Sequence, residues 1–196
     1  MKSVEFFDKV SKYSLYLLAF LLPLWVLPFT QDAAGYQKQV LLVVLVFLGV
    51  VSFLAKAVNQ GKLTFRQSPL HILVLLFLGS VALSALFSVA LGGSFWGWPL
   101  DNADNLISFL ALGLLYFFIA NSLEKQTELF TLGVLGVSSA ALVGLFTLLQ
   151  LYGVHLIPLD FANVASFNPV GTVNSVALLS TVLLPLALTL GFASNV

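Results

Sequence analysis

Asp101 and Asp104 are the only carboxylates in the stretch GGSFWGWPLDNADN (Gly92–Asn105), which they share with Trp96 and Trp98. A carboxylate can serve as a general base or accept hydrogen bonds from sugar hydroxyls. Indole faces stack well on the apolar faces of pyranose rings. Together these four side chains have the makings of a carbohydrate subsite. Each also has a plainer use. Tryptophan favours the headgroup level of a bilayer, where its ring is half apolar and half wet. An Asp or Asn directly before an apolar run is the usual helix N-cap, which fits Asp104 or Asn105 ahead of Leu106.

A second set of candidates lies in GVHLIPLDFANVASFNPVGTVN (Gly153–Asn174), the longest connection on the outer side. Long connections are often functional. His155 and Asp160 form an acid–base pair only if the fold brings them together. At the end of the stretch, Gly171 permits a tight turn and Asn174 can cap the helix that follows. Backbone N–H groups at such a helix start can hold an anion such as a diphosphate. The chain has no cysteine and only two histidines, His71 and His155, far apart in sequence. Neither a metal centre nor a cofactor is expected.

The elements that must position these residues are set by the solvent. Sixty percent of the 196 residues are apolar, 8% are charged, and the mean hydropathy is +1.05. Soluble domains carry about 25% charged residues, so the solvent for most of this chain is lipid. The formal net charge of +0 gives no sign of a nucleic-acid partner. A membrane-spanning helix needs roughly 20 apolar residues. Six runs approach or meet that length: Ser14–Phe29, Gln39–Ala57, Pro69–Leu91, Leu106–Leu123, Leu129–Tyr152 and Ser175–Ala193. The expected fold is an all-α, polytopic membrane protein with about six transmembrane helices in a single domain. The first run carries Pro23 and Pro28 and should kink or end early. It has a basic start but no clean cleavage site after it, so a retained signal anchor is expected.

Basic residues set the orientation. Lys2, Lys9, Lys12, Lys56, Lys62, Arg66 and Lys125 fall at one set of alternating connections; only Lys38 falls at the other. The positive-inside rule places both termini in the cytoplasm and the tryptophan-rich stretch outside. Within the runs, Ser80, Ser84 and Ser88 form one small-residue ridge, and Gly136, Ala140 and Gly144 another. Such ridges let helices approach closely in lipid. No Asp, Glu, Lys or Arg sits mid-run, which argues against an ion-coupled transporter.

Four features resemble one known family. The third run ends in SALFS (Ser84–Ser88), followed by SFWG (Ser94–Gly97). The fourth contains LLYFFIANSL (Leu114–Leu123). The fifth ends in LLQLYGV (Leu148–Val154). The sixth is reached through GTVNSVA and continues to LLPLAL (Gly171–Leu188). Their order and spacing over roughly Leu70–Leu190 resemble the N-terminal half of the O-antigen ligase family. These bacterial membrane proteins include O-antigen ligases, related polymerases and pilin oligosaccharyltransferases. The family typically reads G-N-P-N at the start of the last feature; Gly171, Asn174 and Ala177 keep the pattern, while Thr172 and Val173 depart from it. Where many members carry a basic residue and a glycine after SFWG, this chain has Asp101-Asn102-Ala103-Asp104.

The resemblance implies a location in the bacterial cytoplasmic (inner) membrane and a role in lipopolysaccharide or other cell-envelope polysaccharide synthesis. It implies transfer of a glycan from an undecaprenyl-diphosphate carrier to an acceptor on the outer face, without metal. Family members have about twice as many spans, and their Arg- and His-bearing outer loop lies in the second half. These 196 residues are therefore expected to lack the catalytic centre and to need a C-terminal half. The alternative expectation, from another class, is a non-catalytic membrane scaffold or transporter half. The substrate-binding candidates are Trp96, Trp98, Asp101, Asp104, His155, Gly171 and Asn174; no catalytic residue is assigned.

Overall fold

The computed structural model describes residues 2–26, 35–62, 65–97, 105–157, 162 and 167–193. Among these residues the only regular structure is helical. The helices are α1 (Lys2–Leu24), α2 (Gly35–Gln60), α3 (Leu70–Leu86), α4 (Leu91–Trp96), α5 (Leu106–Ser122), α6 (Gln126–Leu151) and α7 (Val173–Ala193). Helix is the physical answer to an apolar medium, because each segment satisfies its own backbone N–H and C=O groups. Three helices are long and apolar enough to cross a bilayer: Gly35–Gln60, Gln126–Leu151 and Asn174–Phe192. Leu70–Leu86 and Leu106–Ser122 are apolar but shorter, at 17 residues each.

Two boundaries differ from expectation. The first helix begins at Lys2 rather than Ser14 and ends at Leu24, one residue past Pro23. The third stops at Leu86 instead of continuing to Leu91. There Ser88 turns the chain by accepting a hydrogen bond from the Ala90 N–H (3.2 Å), and the short α4 begins at Leu91.

The chain forms two compact units, Met1–Leu15 with Gln39–Glu124, and Tyr16–Lys38 with Lys125–Val196. In the first, α3 packs on α5, and α4 packs on both. Leu15, Val46, Phe118 and Leu123 are buried there. The ring of Phe118 meets Phe53 edge-on, with centroids 6.4 Å apart. Gly49 is small by necessity: a Cβ would run into the Phe118 ring and the Ser14 hydroxyl. Ser11 and Ser122, both buried, share a hydrogen bond of 2.8 Å.

The first turns of α1 are held by charge. Asp8 accepts from Lys12 Nζ at 2.7 Å and from Lys56 Nζ of α2 at 2.6 Å. Burial pushes the Asp8 carboxyl up, but the two ammonium hydrogen bonds and their charges outweigh it and hold the group below its ordinary 3.8. A depressed folded pKa gives stability that is fully present above the unfolded value and is lost as pH falls through the folded one. Unfolding temperature should therefore be flat near neutral pH and drop on acidification below 3.8. Asp8→Asn should shrink that acid limb. An identical limb in the variant would show that other groups set it.

In the second unit, α6 packs on α7, and Gly133 seats the Leu190 side chain. Pro23 has no N–H for the carbonyl four residues back and crowds the end of α1. The Ser139 hydroxyl of α6 donates to the adjacent Phe20 carbonyl at 2.7 Å. Gln150, buried at the end of α6, donates to the Ala162 carbonyl. Phe146 meets Phe167 edge-on at 6.1 Å.

Candidate functional site

In the first unit, the break between α3 and α4 and the start of α5 enclose a cleft of about 520 Å³. Its polar lining is Ser84, Ser88, Ser94 and Asn105; its apolar lining includes Val81 and Phe109. Ser94 donates to the Ser88 hydroxyl at 2.6 Å, which orients both side chains. Asn105 is the N-cap of α5. Its backbone is extended (φ −119, ψ 162), and its side-chain oxygen accepts from the Ser108 N–H at 2.8 Å. The same oxygen accepts from Gln39 Nε2 of α2 at 3.1 Å. Asn105 is 1% exposed, so the cap is also a fixed polar floor. The cleft can offer hydroxyl and amide hydrogen bonds; none of its described lining residues titrates near neutral pH.

Trp96 is the last residue of α4 and is 74% exposed, as an interfacial anchor or a stacking platform requires. It stands two residues after Ser94 of the cleft. Gly97 ends the helix with φ 85, a positive value that glycine adopts without strain. Trp98, Asp101 and Asp104 lie outside the described residues, so the carboxylates of the opening motif have no described geometry.

The other candidates belong to the second unit. His155 is exposed, two residues beyond the positive-φ Gly153 (φ 79). Asp160 lies outside the described residues, and the anticipated acid–base pair has no described geometry. Ahead of α7 the turn is built on Asn168, which is 1% exposed. Its side-chain oxygen accepts from the N–H groups of Val170 and Gly171, both at 3.0 Å. Gly171 has φ 118, a backbone conformation that favours glycine, and its N–H also donates to the Asn168 carbonyl at 3.1 Å.

Asn174 does not cap α7. The helix starts one residue earlier, and Thr172 Oγ1 accepts from the Ser175 N–H at 3.2 Å. Asn174 falls in the first turn with an exposed side chain. A hydroxyl at 172 takes the capping role because it stands three residues before that free N–H.

Sequence reasoning underrated two residues. Asn168 was legible in principle, since an Asn-Pro pair favours turn initiation. In the sequence Lys38 is only the lone basic residue on its face. In the structure its ammonium donates to the carbonyls of Pro23 at 3.2 Å and Pro169 at 2.6 Å. It thus ties the end of α1 to the turn before α7. Among the described residues no cluster of His, Cys, Asp or Glu could hold a metal ion. No protein-family model, curated protein or solved structure matches this chain.

Proposed function

We propose that this protein is the membrane part of a glycan-transfer system of the O-antigen ligase type. It would work at the outer face of a bacterial inner membrane on an undecaprenyl-diphosphate-linked glycan. In this reading all six long helices cross the bilayer, both termini are cytoplasmic, and a further half of the transferase supplies the catalytic groups. The observation that carries it is the cleft of Ser84, Ser88, Ser94 and Asn105, with the exposed Trp96 at the end of the helix that lines it. Hydroxyls and an amide suit sugar hydroxyls, and an indole beside them suits a pyranose face. The alternation of basic residues supports the orientation.

The test is saturable binding of a lipid-linked oligosaccharide to the purified chain. Trp96→Ala should weaken binding about tenfold, the loss of roughly 1.4 kcal/mol from one stacked ring. The absence of native cysteine makes the orientation directly measurable. A cysteine at position 96 should react with an impermeant maleimide from outside the cell, and one at position 62 should not.

One observation favours a second reading, a non-catalytic scaffold: the described lining of the cleft holds no acid or base. A scaffold would show no saturable, diphosphate-dependent binding, and Trp96→Ala would change nothing.

A further inference from the structure

Lys38 is a half-buried cation with an unusual set of neighbours. Two of its three N–H donors go to main-chain carbonyls, those of Pro23 and Pro169. Among the described residues no carboxylate faces it; the ion pairs that are described involve Lys12 and Lys56. Carbonyl dipoles solvate an ammonium in part, but removing a charge from water remains costly until a counter-charge arrives.

Pro169 also lines an apolar cleft of about 380 Å³ in the same unit, and Leu24, next to Pro23, lines it as well. The cleft runs along α6, where Leu142, Leu145, Phe146 and Leu149 form its wall. Leu145 is 54% exposed, so the wall is open to the surrounding lipid. A cation that faces no carboxylate among the described residues is thus bonded to Pro169, itself part of the wall of a trough as apolar as an acyl chain. That juxtaposition has the chemistry of an anionic amphiphile: phosphate at the ammonium, hydrocarbon in the trough.

We infer that Lys38 and the α6 cleft hold one resident anionic glycerophospholipid, its phosphate on the Lys38 ammonium and an acyl chain against Leu145 and Phe146. The inference is independent of glycan transfer and holds for a scaffold equally. The lipid completes the charge balance of the tie between α1 and the turn before α7, so it acts as a structural part of the second unit.

The experiment reconstitutes the full chain in phosphatidylcholine nanodiscs and titrates in phosphatidylglycerol. Retained phospholipid is read by native mass spectrometry, and stability by unfolding temperature. The wild type should keep one phosphatidylglycerol and be stabilised by it. Lys38→Gln should bind it about tenfold more weakly, and Lys38→Arg should recover most of the loss. Leu145→Trp, which fills the trough from an exposed position, should expel the lipid with helix content unchanged. If Lys38→Gln does not fold, Leu145→Trp and Lys38→Arg still decide the matter. Retention of the lipid by Leu145→Trp would overturn the acyl-chain placement. Equal stabilisation by inorganic phosphate or pyrophosphate would overturn the lipid and leave a free-anion site. Binding of undecaprenyl phosphate but not phosphatidylglycerol would overturn the resident phospholipid and give the cleft to the carrier.

Discussion

Gly49→Leu should unfold or disperse the first unit, and Gly49→Ala should already destabilise it. At an open helix position, Gly→Ala gains up to about 1 kcal/mol from helix propensity. At Gly49 the new methyl meets the Phe118 ring and the Ser14 hydroxyl, and neither is the loose end of a long chain. Phe118 is 3% exposed and braced by Phe53. Overpacking a closed core costs about 1–3 kcal/mol, which outweighs the propensity gain. The internal control is Gly136→Ala, where a Cβ meets nothing within 4 Å and the change should be neutral or stabilising. Unfolding temperatures of the three variants in one detergent give the answer. Equal behaviour of Gly49→Ala and Gly136→Ala would mean that α1, α2 and α5 are not in close contact there.

The second large effect is expected at Asn105. Asn105→Ala removes the N-cap of α5 and leaves the Ser108 N–H without that acceptor in a buried position. Loss of a cap costs about 0.5–2 kcal/mol, and the bond from Gln39 Nε2 to the same oxygen goes with it. A loss at the upper end, about 2 kcal/mol, is expected. Asn105→Asp keeps the acceptor and places negative charge at the positive end of the helix. It should restore most of the stability while changing the charge of the cleft floor. A drop in unfolding temperature for Ala but not for Asp identifies the cap. Equal drops in both would show that the amide nitrogen matters more than the oxygen.

The positions of the long helices were legible because lipid leaves the chain few alternatives. Long apolar runs had to become helices, and Gln39–Ala57 lies wholly inside the observed α2. The start of α1 was not legible. Glu5, Asp8, Lys9 and Lys12 look like a solvated tail until Lys56, 48 residues away, supplies the partner that brings Asp8 into the fold. The break at Phe87 was hidden for a similar reason. Leu70–Leu91 carries no charged residue and no proline, and Ser88, whose hydroxyl accepts from the Ala90 N–H at the stop, looks in sequence like Ser80 and Ser84 before it. Of the site, the local parts could be read: a cap before Leu106, a tight turn at Gly171, an exposed tryptophan after the third run. The cap of α7 is ambiguous in sequence because Thr172 and Asn174 are both competent cap residues, and the fold uses Thr172. Lys38 escaped because its acceptors are main-chain carbonyls 15 and 131 residues away, and carbonyls leave no signature in sequence.

The neighbours α3 and α5 have 17 residues each. At 1.5 Å per residue such a helix is about 25 Å long, while the hydrocarbon layer is about 30 Å thick. If both cross the bilayer, as the six-span reading requires, this pair is shorter than the layer around it, unlike α2 with its 26 residues. A hydrophobic mismatch of this kind is met by local thinning of the bilayer, at a fraction of a kcal/mol per Å. Headgroups would then dip beside α3 and α5, bringing the water boundary down toward the Ser88–Asn105 cleft. A polar ligand could reach that cleft without passing through hydrocarbon, and the protein would settle preferentially in thinner regions of membrane.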